Sequence, residues 1–395
     1  MTGPLNGLRV LEFGQYAAGP FAGNILADWG ADVAKVEPPQ GDGLRQWPPF
    51  SPAAEEGGEE YSLNFASISR NKRSVTADFR NDDDKARLLE LASVADVVIE
   101  NFRPGVMDRH GLGFDAMSAL NDHLVFASVN GYGSSGPYRD RGAFDIAIQG
   151  LSGLMSITGD ADGPPAKAGI PVADFISGLY GAIGVLVGRQ QVLQTGCSVR
   201  VECSMLACML SVAALQTSEF WGTGLAPKRM GSAHPRNAPY QAFKSGDGEY
   251  FIVAAGNDRL FVRLCESIPG IGELGTDERF ATQDARVKNQ DLLANILQRS
   301  FLAKNRDEWL KTLDVAGVPC APVLDYAEVL ADEHVLASGI VQQMDLPNGG
   351  TASTIGNPLT MTDYEFEVYQ RPPVTGEHND DVARDWLADV AQRDE

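Results

Sequence analysis

Cysteine is scarce: five in 395 residues, at positions 197, 203, 208, 265 and 320, with no Cys-x-x-Cys pair among them. An odd, unpaired set excludes a disulfide framework and a zinc site built on paired thiolates, and it suits a reducing cytoplasm. The five histidines are scattered without metal-ligand spacing, so no metal is expected. Positive charge is also short. Lys and Arg number 32 against 53 Asp and Glu, a net charge of −21, which speaks against nucleic acid, whose binding needs a basic face. The segment Met1 to Gly7 has neither a basic n-region nor an apolar h-region, so no secretory signal is expected. Long hydrophobic runs are missing as well. Phe175 to Gly188 is broken by glycines and meets Arg189 before the ~20 residues a bilayer span needs. The expectation is a cytoplasmic protein with neither membrane nor nucleic-acid partners.

The loops of several common enzyme classes are absent too. Gly131 to Gly136 matches G-x-G-x-x-G, but Pro137 and the polar Tyr138-Arg139-Asp140-Arg141 follow, so no helix opens there to hold a pyrophosphate. Gly14 and Gly19 are spaced like the glycines of a phosphate loop, yet Pro20-Phe21 stands where Lys-Ser/Thr is required. No G-x-S-x-G elbow occurs, which removes the α/β-hydrolase reading. A nucleotide-dependent dehydrogenase keeps just Glu37, at the end of a second strand, in its favour.

What is present is a globular composition, 44% hydrophobic and 8% aromatic, in a chain long enough for two domains. Strand signals at Leu8–Phe13, Asp32–Glu37, Ser74–Asp78, Asp96–Glu100, Leu124–Val129 and Ser198–Glu202 alternate with helix signals at Gly19–Trp29 and Asp82–Ala95. Such alternation predicts an α/β fold with a Rossmann-like parallel sheet. A long apolar helix, Ser204 to Phe220, closes this large domain at 1–224. Residues 225–325 read as a smaller α+β domain: a hairpin at Tyr240–Phe243 and Glu249–Val253, then helices near 258–266, 287–302 and 307–315. Residues 326–395 read as punctuated strands and a helix near 381–390, returning to the large domain. The acidic run at 55–60 reads as an exposed loop.

Asp174 stands at the head of the apolar, small-residue run. A carboxylate there is either an ordinary N-cap, accepting from the free N–H groups of a helix start, or a pre-aimed nucleophile able to attack an activated carbonyl. Despite the acidic total, Arg70-Asn71-Lys72-Arg73, Arg103, Arg109, Arg139 and Arg141 cluster in one half of the chain. Local cations outweigh a screened global charge, so a phosphorylated small ligand stays open.

In order along the chain, several segments resemble the family III CoA-transferases, a group that includes formyl-CoA and carnitine CoA-transferases and, as cousins, α-methylacyl-CoA racemases. These are Pro4 to Phe13, Ala18-Gly19-Pro20, Leu26 to Val33, Lys35 to Pro38, Gly41-Asp42 with Arg45 and Trp47, and Asn71 to Ser74. Glu100 to Gly105, Gly131 to Gly133, Ala316 to Val323 and Pro372 to His378 follow. The resemblance covers essentially the whole chain and sets Asp174 at the family's nucleophile position. It implies an interlocked, ring-like homodimer and coenzyme A or acyl-CoA as substrate, with no permanently bound cofactor. It also implies that Gln15, Tyr16, Ala17 and Ala18 line the CoA site. Asn71, Lys72 and Arg73 would run along its nucleotide end, with Asn101, Phe102 and Arg109 beside it. Phe102 reads equally as core packing and Arg109 as a helix-end ion pair. Arg45, Trp47, Phe144, Asp145, His234 and Arg236 are candidates for the substrate pocket.

Two departures bear on chemistry. The racemase branch has a histidine where Phe144 stands, and phenylalanine cannot exchange a proton. The stretch Gly231 to Tyr240 lacks the glycine run of formyl-CoA transferase, which counts against formate or oxalate. The expected reaction moves CoA from an acyl-CoA to a small free carboxylic acid, through an anhydride on Asp174 and an enzyme–CoA thioester. Backbone N–H groups near Gln15–Ala18 would stabilise the anionic intermediate. Succinyl-CoA with a small dicarboxylate is the pairing the resemblance suggests. A 2-methylacyl-CoA racemase and a non-catalytic CoA-binding protein are the alternatives.

Overall fold

The computed structural model describes residues 3–53 and 58–393, so Glu55, Glu56 and Gly57 of the expected acidic loop lie outside the described residues. Six strands form the main sheet: β1 (Arg9–Glu12), β2 (Asp32–Glu37), β3 (Lys72–Thr76), β4 (Val97–Glu100), β5 (Val125–Asn130) and β6 (Val199–Ser204). All their pairings are parallel, and their spatial order is 3-2-1-4-5-6. This is the doubly wound dinucleotide-type order.

Both faces of the sheet are covered, which is why its central strands carry continuous apolar runs rather than alternating ones. The period of two still shows in where each side chain goes. Leu11 and Val98 point into one core, with Leu88, Leu91, Val382 and Trp386 from helix α2 (Asp82–Val94) and the C-terminal helix Asn379–Arg393. Val10, Val97 and Ile99 point into the other, against α1 (Ala18–Asp28) and α4 (Val172–Thr195). Helix α2 starts as its sequence dictates: the Asn81 side chain accepts from Asp83 and Asp84 N–H, and three aspartates occupy the first turn.

Helix α4 runs 24 residues, past Arg189 to Thr195, longer than the apolar run suggested and long and apolar enough to cross a membrane. Its buried stripe, Ala173, Ser177, Gly178, Gly181, Ala182, Val185, Gly188 and Val192, packs on the sheet and α1. Arg189 pairs with Asp96 at 2.9 Å. Glycine permits that close approach: a Cβ on Gly184 would fall 2.7 Å from a methyl of Val201. The expected single helix after Cys203 is two, α5 (Met205–Val212) and α6 (Ala214–Thr223), because Ala213 leaves helical geometry at ψ 21°.

The chain divides into two compact units. One comprises Met1–Leu154, Ala168–Gly222 and Glu333–Glu395; the other comprises Met155–Lys167 and Thr223–Asp332. The large-domain boundary expected at 224 therefore omits an excursion. Residues 155–167 join the second unit because Arg229 donates to the carbonyls of Asp160 (3.2 Å) and Gly163 (2.9 Å), and Gly231 N–H to that of Gly159 (3.0 Å). The second unit also extends past 325, where Glu328 caps its own helix start and pairs with Arg306 at 3.0 Å. Its core gathers Phe243, Phe251, Phe261, Phe280, Phe301 and Trp309 around a three-stranded antiparallel sheet. The region after 335 holds a hairpin, Val341–Asp345 with Thr351–Ile355, preceded by a short helix Glu333–Ala337.

Candidate active site

Strand order reverses between β1 and β4, and in such sheets ligands bind beyond the carboxyl ends of the strands at that point. Strand β1 runs out there into Gly14–Ala17, and β4 into Asn101 and Phe102. The Asn101 amide clasps Gln15, accepting from its N–H at 2.9 Å and donating to its carbonyl at 2.8 Å. Tyr16 takes a left-handed φ of 61°, its N–H 3.3 Å from both Asp42 carboxylate oxygens. Its ring meets that of Trp47 at 5.7 Å, and Trp47 is half exposed. Ala17 caps α1, and Ala18 opens it. Beside the loop lies a cleft of about 280 Å³ lined by Gln15, Pro38, Phe79, Arg80, Phe102 and His110, among others.

Asp174 is the third residue of α4, not its cap. The capping acceptor comes from Asp145, whose Oδ1 accepts from the Ala173 N–H at 2.8 Å. Asp145 opens helix α3 (Asp145–Leu151), and its Oδ2 accepts from Gln149 Nε2 at 2.6 Å. Gln149 Oε1 in turn accepts from the Ala168 N–H at 2.8 Å. The Asp174 carboxylate is left free of the cap role. Burial, with the neighbouring Asp145 charge adding to it, pushes its pKa up to about 6.

Helices α1 and α4 bring the loop and this carboxylate to one side of the sheet. A Cβ on Gly178, one turn after Asp174, would fall 2.8 Å from the Ala18 carbonyl oxygen, and the rings of Phe21 and Phe175 meet at 4.7 Å.

Other predicted residues are differently employed. Lys72 and Arg73 open β3 and Asn71 precedes it, at the amino end of that strand. Asn71 Oδ1 accepts from Gln370 N–H at 3.0 Å. Lys72 is fully buried, donating to Glu12 and to the Pro20 carbonyl, both at 2.7 Å. Arg73 pairs with Asp32 and Asp385. All three side chains, expected at the nucleotide end of the CoA site, are engaged with partners inside the protein, and none lines the 280 Å³ cleft. Arg80, just past the carboxyl end of β3, does line the cleft, as does His110, whose ring packs on Phe79 at 5.6 Å. The sheet topology singles out the Arg80 position; a motif reading does not.

Arg45 forms a two-point pair with Glu37 (2.7 Å each) and lies over the Phe65 ring at 3.7 Å. It still lines a separate cleft of about 360 Å³ with Tyr61 and Thr375. Phe102 serves both readings, packing edge-on to Phe79 at 5.9 Å while lining the 280 Å³ cleft. Arg109 is exposed in the short helix Val106–Arg109. Phe144 is 76% exposed at the start of α3. His234 and Arg236 belong to the second unit, where the His234 ring meets Tyr240 at 5.3 Å and its Nδ1 accepts from the Arg236 N–H. The oxyanion donors expected at Gln15–Ala18 narrow as well, because the Gln15 and Tyr16 N–H groups already have acceptors. Among the described residues, no three His, Cys, Asp or Glu side chains gather as a metal site requires.

Comparison with known proteins gives a consistent picture. The family model described as CoA-transferase family III matches residues 5–379. A succinate–glutarate CoA-transferase of Agrobacterium fabrum is 37% identical over 383 residues, 96% of this chain and 94% of that protein. The human succinyl-CoA:glutarate CoA-transferase is 33% identical over 386 residues, 97% of this chain and 86% of that protein. Among solved structures, a CAIB/BAIF family protein from Brucella suis superposes with a TM-score of 0.87 at 39% identity, covering 98% of this chain and 100% of that one.

Proposed function

The chain belongs to CoA-transferase family III and moves CoA from an acyl-CoA to a free carboxylic acid, and we propose that it does so on Asp174. The Asp174 carboxylate attacks the thioester carbonyl and expels the CoA thiolate, leaving an acyl–aspartyl anhydride. The thiolate then attacks the aspartyl carbonyl, releasing the donor acid and forming an enzyme–CoA thioester. The acceptor carboxylate attacks that thioester, and the same steps run in reverse deliver the new acyl-CoA. The observation that carries this reading is that Asp145 frees Asp174 from the cap role, while α4 packs on the first turn of α1 one turn later, at Gly178. The N–H groups of that turn, at Ala17, Ala18 and Gly19, have no acceptor inside a helix and suit a developing oxyanion. A thiolate-based exchange also fits a reducing cytoplasm, in which the buried Cys203 and Cys208 sulfurs, 3.3 Å apart, stay thiols.

The 280 Å³ cleft suits the nucleotide end of CoA, with Phe79, Phe102 and His110 offering ring faces and Arg80 a phosphate contact. The donor we propose is succinyl-CoA and the acceptor a small dicarboxylate of the glutarate class, following the relatives. Phe144 removes the acid–base partner that α-proton exchange needs. The test is a matrix of acyl-CoA donors and carboxylic acids read by mass spectrometry of the CoA thioesters, with hydroxylamine added to trap the activated carboxyl. CoA exchange among dicarboxylates with hydroxamate on Asp174 is expected. Hydroxamate on another residue would overturn the mechanism.

The surface of the first unit supports an interlocked homodimer. Leu179, Ile183 and Val187 of α4 and Leu215 and Trp221 of α6 are exposed, Trp221 by 79%. Apolar surface of this extent calls for a partner, and a second copy threaded through the first would cover it. Light scattering on dilution to nanomolar protein should show a dimer that separates only as it unfolds. A folded monomer would refute the interlocking.

A further inference from the structure

Gly14, Gln15 and Tyr16 are held by side chains reaching them from three other segments. Lys35 Nζ, at the buried centre of β2, donates to the Gly14 carbonyl at 2.6 Å. Asn101 takes both the N–H and the carbonyl of Gln15. Asp42 receives the Tyr16 N–H and also caps the next turn by accepting from Leu44 N–H at 2.8 Å. The grips are tied together, since Lys35 lies 2.8 Å from Asp42 and 3.2 Å from Glu12. The glycine pair that imitates a phosphate loop has a steric purpose instead. A Cβ on Gly19 would fall 3.2 Å from Asn101 Cβ and 3.3 Å from Gly14 Cα, so glycine lets the loop fold back on itself and lets Asn101 approach.

Tyr16 is the telling residue. A tyrosine at φ 61° is unfavourable and persists where its surroundings over-determine it. Resting on Asp174 as nucleophile, we infer that Lys35, Asp42 and Asn101 are positioning residues. They fix Gly14, Gln15 and Tyr16 so that the Ala17 and Ala18 N–H groups meet the thioester oxygen as Asp174 attacks. None of the three need touch substrate. This departs from a direct CoA contact for Asn101, because both polar atoms of its amide are already engaged with Gln15.

The two roles separate in kinetics. A loop displaced by roughly 1 Å costs up to ~100-fold in the chemical step, whereas loss of a direct ligand appears in affinity. In the full-length enzyme, Asn101→Ala should lower kcat at saturating acyl-CoA by about 10- to 100-fold. The dissociation constant for CoA, by calorimetry, should change by less than about threefold. Asp42→Asn keeps an acceptor for the Tyr16 N–H and should retain about tenfold more kcat than Asp42→Ala; this pair supplies the same readout if Asn101→Ala does not fold. A CoA affinity weakened about tenfold with kcat intact would make Asn101 a direct ligand and overturn the inference. Unchanged kcat in both Asn101→Ala and Asp42→Ala would overturn it as well. Hydroxylamine trapping on the wild type is the separate control: a label away from Asp174 would defeat the nucleophile reading rather than the loop clamp.

Discussion

Asp174→Asn is expected to lower turnover by about four orders of magnitude or more while making the protein harder to unfold. Asparagine keeps the size and one acceptor oxygen but cannot supply the attacking oxygen anion. Stability moves the other way because the folded carboxylate titrates near 6, above its ordinary 3.8, owing to burial and the Asp145 charge. A carboxyl whose folded pKa is raised binds more protons folded than unfolded between those two values. Stability therefore falls as pH rises through that window, and the full penalty is present at pH 7. A neutral amide escapes it, for a gain of about 1 to 3 kcal/mol. The same ionisation governs activity: kcat/KM for acyl-CoA should drop about tenfold per pH unit below 6. Asp145→Asn should move that limb to lower pH without erasing it, since burial is the larger cause. Differential scanning calorimetry and pH–rate profiles check these outcomes. An Asp174→Asn enzyme with near-normal turnover would end the proposal.

The sheet was legible in the sequence because β/α alternation and buried apolar runs are local signals. Each of the six strands lies within two or three residues of its expected position, and the acidic first turn of α2 marked its start. The segment that Asp174 heads left a helix cap and a nucleophile both open, and the helix geometry places it as the third residue of α4 rather than the cap. Its release from capping was not legible, since Asp145 lies 29 positions earlier and meets α4 only in three dimensions. The placement of Asn71-Lys72-Arg73 was hidden for a related reason. Composition cannot say which end of a parallel strand a cation occupies, and these residues lie at the amino end, where Lys72 turns inward to Glu12. Arg80, a few residues later, lies past the carboxyl end of the same strand and lines the 280 Å³ cleft. The helix break at Ala213 has no proline or glycine to announce it.

Glu12→Gln should be among the most damaging single changes outside the reaction centre, despite its near-identical shape. Glu12 is fully buried between two fully buried lysines, 3.2 Å from Lys35 Nζ and 2.7 Å from Lys72 Nζ. Removing the charge leaves Lys35 with Asp42 but takes from Lys72 the carboxylate it donates to. Breaking one side of a buried pair costs about 3 to 5 kcal/mol, a large share of the stability of an ordinary domain. The pH dependence identifies the cause. Burial already pulls the Lys72 pKa down to about 8 even with Glu12 beside it, and without Glu12 it must fall further. The two proteins then differ in Lys72 protonation below pH 8 and not above it, so that part of the deficit grows by up to about 1.4 kcal/mol per unit as pH drops from 8. Adding Lys72→Met to Glu12→Gln should recover much of the loss, because an apolar side chain leaves no charge to desolvate. Urea unfolding at pH 6, 7 and 8.5 measures the series. Equal stability of Glu12→Gln and wild type at pH 6 would mean that the buried lysines do not depend on this carboxylate.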